Sequence, residues 1–204
     1  MIMSYKFQEK FSLTIWSVAL EQFGTVSVRN FLLYSLIGII VVLLILLVRK
    51  CRKRKTHFSD VLAGILFAVY VSIILQLTLV NRESGSRIGI NLDVFHGLVG
   101  TDYNLRWLMI AYAVLNCILF VPYGFILSMF SFVNERKTGI QFVLATLFSF
   151  LASMMIEMTQ LITRRGYYEV QDLLLNTLGG VLGWLLFFVI YHVGTFLISG
   201  KRED

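Results

Sequence analysis

Charge is scarce in this chain. Of 204 residues, 15% are Asp, Glu, Lys or Arg and 57% are hydrophobic, whereas a soluble domain usually carries about 25% charged residues. There is one proline, Pro122, and there are two cysteines, Cys51 and Cys117. One cysteine stands in a basic stretch and the other within an apolar run, so they are not expected to meet and no disulfide framework is implied. His57, His96 and His192 are scattered without ligand spacing, so no metal and no cofactor is expected. Also missing are Gly-x-Ser-x-Gly, a paired Cys and His, and His-Glu-x-x-His, the patterns that carry an activated nucleophile or a catalytic zinc. A cleavable signal is not expected either, because Met1 to Lys10 is polar and aromatic and the first long apolar run begins at Phe31. The formal net charge of +6 does not point to nucleic acid, since the basic residues stand in short loops between hydrophobic runs, where they set orientation.

What the sequence does contain is five apolar segments near the roughly 20 residues that cross a hydrocarbon core as a helix. They are Phe31 to Val48, Val61 to Val80, Leu108 to Phe130, Ile140 to Thr163 and Leu173 to Ile198. Helices are expected because lipid offers no partner to a free backbone N–H or C=O. The expected fold class is therefore all-α: a multi-pass transmembrane helix bundle of about five spans, with the lipid bilayer as its solvent. The run "RKCRKRK", Arg49 to Lys55, abuts the first span and is expected to be cytoplasmic. Alternation then puts "NERKT" (Asn134 to Thr138) and "GKRED" inside. The N-terminus, the Asn81 to Trp107 loop and the Arg164 to Asp172 loop fall outside.

Residues 1–30 are read as an N-terminal interfacial segment, 31–198 as the bundle and 199–204 as a cytoplasmic tail. In "KFSLTIWSVALEQFG", Phe7, Phe11, Ile15 and Val18 fall near one helical face, widened by Trp16, Leu20 and Phe23. That pattern predicts an amphipathic helix lying on the outer surface. The long outer loop carries Arg82, Arg87, Asn91, Asp93, His96 and Arg106. Ordered loops of this length are often functional. Its "VFHGLVG" is apolar enough to dip into the interface.

The intramembrane polar residues cluster by depth and by face. At 1.5 Å per residue, Glu157 lies roughly 9 Å below the outer end of its span, Asn176 roughly 6 Å and Asn116 about 12 Å, with Gln160 shallower. Glu157, Gln160 and Arg164 share one helical face at i, i+3, i+7. Asp172, Asn176, Gly179, Gly180 and Gly183 share another. Gly179 and Gly183 have the small-xxx-small spacing that admits a close neighbour, and Pro122 with Gly124 is expected to bend the third span. A buried Glu157 calls for a cation, and Arg164 or Arg165 is the nearest in sequence. Two readings stand: interhelical hydrogen-bond glue, or a functional pocket.

These residues carry a resemblance. "NCILFVPYGFILSMF" (Asn116 to Phe130), "IEMTQ" (Ile156 to Gln160) with a following arginine, and "DLLLNTLGGVLG" (Asp172 to Gly183) are similar to the patterns of the VanZ-like family of bacterial membrane proteins. Asn116, Pro122, Gly124, Glu157, Gln160, Asp172, Asn176, Gly179 and Gly183 fall on family positions, with Arg164 or Arg165 in the arginine's place. Glu169 and Gln171 stand where the family turn is richer in aspartate, and "NLDVF" lacks an expected proline. The resemblance implies a multi-pass plasma-membrane protein associated with resistance to teicoplanin-type glycopeptides. Two classes of function follow. One is a non-enzymatic module whose outward pocket of Asn116, Glu157, Gln160, Arg164, Arg165, Asp172 and Asn176 binds a cell-wall lipid precursor or a lipoglycopeptide. The other is an intramembrane hydrolase or transferase with Glu157 or Asp172 as general base.

Overall fold

The fold is taken from a computed structural model and describes residues 2–53, 56–82, 85, 87–95 and 103–200. Arg54, Lys55, His96 and the tail residues 201–204 lie outside the described residues, as do the side chains of Phe7, Phe11 and Arg87. The helices are α1 (Ile2–Gly24), α2 (Val28–Cys51), α3 (Phe58–Leu75, extended by a π-helical turn Gln76–Val80), α4 (Tyr103–Met129), α5 (Ser131–Asn134), α6 (Thr138–Ile162) and α7 (Val170–Gly200). Five of them are long and apolar enough to cross a membrane: Val28–Cys51, Phe58–Val80, Leu105–Met129, Thr138–Ile162 and Val170–Phe196. These are the five expected segments, each starting two or three residues earlier than expected, with C-terminal ends that fall within three residues of those expected. α4 runs through Pro122 without interruption.

α1 packs against α4 and buries Val18, while Trp16, Leu20 and Phe23 stay exposed. The chain then turns at Ser27, whose side chain caps α2 and whose N–H donates to Gln76 Oε1 at 3.0 Å. α2 touches the rest of the bundle mainly along α3, through a Ser35–Ser72 hydroxyl pair at 2.8 Å and the small residues Gly38, Gly64 and Ala68. Its remaining apolar side chains point outward, as a helix facing lipid requires.

α7 lies along α4 and against α6. Its glycines make that possible. A Cβ on Gly179 would strike the Cys117 carbonyl, one on Gly183 the Val121 carbonyl, and one on Gly180 the Ser149 hydroxyl; Gly124 of α4 meets the Gly180 carbonyl in the same way. Beside this seam the apolar core gathers Ile74, Phe120, Tyr123, Leu127, Val133 and Ile156.

The two ends of the bundle differ. At the basic end, Asp60 in the first turn of α3 is buried and ties three elements together. Its carboxylate accepts from Ser131 N–H at 2.8 Å and Ser131 Oγ at 2.9 Å, and pairs with Arg49 at 3.2 Å. Hydrogen bonds to a charged group contribute about 1.5–3 kcal/mol each. Asp60→Ala should therefore lower the thermal unfolding midpoint of purified protein clearly, whereas Glu135→Ala, which removes an exposed partner of His57, should leave it unchanged.

The opposite end carries the one departure from an all-helical chain among the described residues. Strands β1 (Arg87–Asn91) and β2 (Arg165–Glu169) form a parallel ladder in the register Arg87↔Arg165 to Asn91↔Glu169. The ladder joins the long loop after α3 to the short turn between α6 and α7. Residues 87–91 and 165–169 are thus joined side by side against α6 at this end of the bundle.

Candidate functional site

Beneath the ladder, polar residues from four elements converge. Glu157 and Gln160 reach it from α6 and are each 2% exposed; Asn176 from α7 is 5% exposed. Glu157 Oε2 accepts the backbone N–H of Glu169 at 3.0 Å, so the carboxylate pins the last residue of β2. The Asn116 side chain of α4 donates to the Asp172 carboxylate, and Asp172 and Glu169 both lie within electrostatic reach of Glu157. One turn deeper, Asn176 Nδ2 donates to Ser153 Oγ at 2.9 Å, and its Oδ1 has no partner among the described residues. The depth-and-face pattern of the sequence therefore corresponds to one spatial cluster.

The cations are arranged differently from the expectation. Arg165 Nη1 donates to the Leu79 carbonyl at 2.9 Å. Arg164 is exposed and holds a left-handed backbone (φ 58), which ends α6 and presents its carbonyl to the Gly85 N–H at 2.6 Å. The charge that acts on both Glu157 and Asp172 is that of Arg82, on the loop after α3. Gly166 leaves room for it: a Cβ there would lie 3.0 Å from Arg82 Nη1 and 3.2 Å from Gln160 Oε1. Arg82 forms no ion pair with either carboxylate among the described residues, where the pairs within 4 Å are at the basic end.

The π-helical turn explains where the other donors go. The last carbonyls of a helix lack intrahelical partners, and here the carbonyls of Thr78 and Leu79 receive Gln160 Nε2 (2.9 Å) and Arg165. π turns recur at functional sites in helices. Gln160 and Arg165 are thus committed to fastening α3 against α6, while Glu157, Asp172 and Asn176 are not consumed in this way.

Sequence reasoning missed Arg82 as the partner, Ser153 as the support of Asn176, and Asp60 as a buried charge. The signal for Ser153 was present, since it lies four residues before Glu157 on the same face. Among the described residues no group of three ligating side chains is placed to hold a metal ion. Two cavities lie elsewhere. One of about 200 Å³ opens beside the start of α6, with Arg136, Lys137, Gln141, Phe188, Tyr191 and His192 in its wall. Another of about 320 Å³ is an apolar groove along α2 near Arg49 and Arg52.

Comparisons with curated proteins and with solved structures return no match. A family model described as VanZ/LLP1 matches residues 65–191, a stretch that runs from α3 through the polar cluster and the glycine seam to α7. With well over half of the chain covered, the protein belongs to the VanZ/LLP1 family.

Proposed function

We propose that this protein lies in the bacterial plasma membrane with the ladder end outward, that its acidic cluster holds the polar part of a lipid-linked or lipopeptide molecule at the outer leaflet, and that this binding contributes to protection against teicoplanin-type glycopeptides. The observation that carries the reading is the convergence of Glu157, Asp172, Asn116 and Asn176 from three helices at one end of the bundle. Two acidic side chains of that set sit close together within spans, an arrangement that structural packing alone does not require and that marks functional sites in membranes. Orientation is supported by Arg49, Lys50, Arg52 and Lys53 at the far end, since basic residues flanking spans are retained on the cytoplasmic side.

Susceptibility of cells carrying Glu157→Gln or Asp172→Asn tests the function. Loss of protection at an unchanged membrane level of protein is expected; protection equal to that of the parent protein would overturn the reading. Orientation has its own all-or-none test. An impermeant maleimide should label Cys51 only after the membrane is opened, and should label Leu92→Cys, placed in a Cys51→Ser background, in intact cells.

The alternative of an intramembrane hydrolase or transferase uses the same carboxylates. Ser153, one turn before Glu157 on α6, accepts the Asn176 amide and has no basic partner to activate it among the described residues. Turnover of radiolabelled cell-wall lipid in vesicles, lost in Glu157→Gln, would restore this alternative.

A further inference from the structure

We propose that the cavity beside the start of α6 binds the phosphate of an amphiphile, at the end of the bundle opposite the polar cluster. This second site goes beyond the function proposed above and does not depend on it. The cavity, of about 200 Å³, lies between the turn that joins α5 to α6 and the distal part of α7. It is smaller than the roughly 300–1,000 Å³ that takes a drug-sized molecule. A headgroup fits, and a whole lipid does not.

The chemistry of the wall comes from how the turn is held. Gln141, 8% exposed, donates its Nε2 to the carbonyls of Asn134 (2.9 Å) and Arg136 (2.8 Å). The Lys137 carbonyl accepts the N–H groups of Ile140 and Gln141. With these acceptors occupied, the groups left over are donors. The N–H groups of Thr138 and Gly139, in the first turn of α6, have no acceptor among the described residues, and the space beside Gly139 is open. Arg136 and Lys137 are exposed and form no ion pair among the described residues. No carboxylate stands in the described wall, and Glu135, next in sequence, faces His57 at 3.6 Å instead. Two cations beside free amides, in a recess without an anion of its own, match the acceptor oxygens of a phosphate.

The α7 side of the cavity assigns that phosphate to an amphiphile. Thr138 opens one span and Tyr191 stands near the end of another, so the recess lies at the height of lipid headgroups. Phe187 and Tyr191 stack there with ring centres 5.8 Å apart, the kind of aromatic lining that collects at membrane–water interfaces. Native mass spectrometry of the detergent-purified full chain tests the site. The lipid probes are phosphatidylglycerol and diacylglycerol of equal chain length, and the soluble probe is glycerol 3-phosphate. Phosphatidylglycerol should bind about tenfold or more tighter than diacylglycerol, and its presence should slow hydrogen exchange in the first turn of α6.

Arg136→Gln combined with Lys137→Gln should erase that preference. Lys50→Gln combined with Lys53→Gln removes equal charge at the same end of the bundle without touching either cavity, and should keep it. All four side chains are exposed, and equal unfolding midpoints for the two double variants verify that folding is intact. Displacement of phosphatidylglycerol by an equal concentration of glycerol 3-phosphate would leave a phosphate site and overturn the amphiphile. Equal binding of the two lipids, no saturable binding of either, or a preference that survives Arg136→Gln with Lys137→Gln would overturn the site itself. So would a preference lost equally in both double variants, which marks diffuse attraction to a basic surface.

Discussion

Gly183→Ala is expected to destabilise the protein by about 3 kcal/mol, at the upper end of what overpacking usually costs, although alanine is ordinarily the better helix former by about 1 kcal/mol. The sign is the diagnostic part. An added Cβ at Gly183 would strike the Val121 carbonyl and lie 2.7 Å from the Phe125 nitrogen, both backbone atoms of α4. Backbone inside a packed helix cannot rotate away as a side chain can, so α4 and α7 would have to separate. Separation would also open the contact between Gly179 and Cys117 and the one between Gly124 and Gly180, because all lie on the same seam. Gly194 supplies the control on the same helix: nothing lies within 4 Å of its added Cβ, so Gly194→Ala should be neutral or mildly stabilising. Thermal scans of the two purified variants, read by size-exclusion profile, make the comparison. Equal midpoints would mean that α4 and α7 do not approach through Gly183.

The seam was legible in the sequence for the same reason that its disruption should be severe. Gly179, Gly180 and Gly183 repeat at helical spacing in a segment where most positions are large and apolar, and lipid leaves close packing as the main force between helices. The five spans were legible because each must satisfy its own backbone over about 20 residues. Placing Glu157, Asp172, Asn176 and Asn116 together needed only helical periodicity and depth. The partner of the carboxylates was different. Arg164 and Arg165 are near Glu157 along the chain, but Arg164 is spent on turning the backbone and Arg165 on a helix-end carbonyl. Arg82 comes from another loop, brought in by a parallel ladder whose strands, "RIGIN" and "RGYYE", are five residues each. Strands that short carry almost no periodic signal, and a parallel pairing leaves no turn motif between them to read. Asp60 was passed over because it opens a span, where an acidic residue is ordinary; that it is buried against Ser131 depends on contacts between residues far apart in sequence.

Glu157→Gln and Glu157→Ala should separate what the carboxylate holds in place from what it binds. The parent oxygen accepts the Glu169 N–H at 3.0 Å and so fastens the end of β2 to α6. Glutamine keeps an oxygen at nearly the same reach, so the ladder should remain closed and the unfolding midpoint should stay close to that of the parent. Alanine removes the acceptor and leaves a gap at a site 2% exposed, which together should cost about 2–4 kcal/mol. Its local readout is faster hydrogen exchange across residues 165–169, where β2 loses its anchor. Functional loss should not follow stability. If the charge is what the ligand meets, protection against a teicoplanin-type glycopeptide falls to the level of cells lacking the gene in both variants, including the well-folded glutamine one. If Glu157 serves only as hydrogen-bond glue, glutamine retains protection and only alanine loses it, in step with the amount of protein in the membrane. Comparing protection with exchange at β2 therefore distinguishes a carboxylate kept for its charge from one kept for its shape.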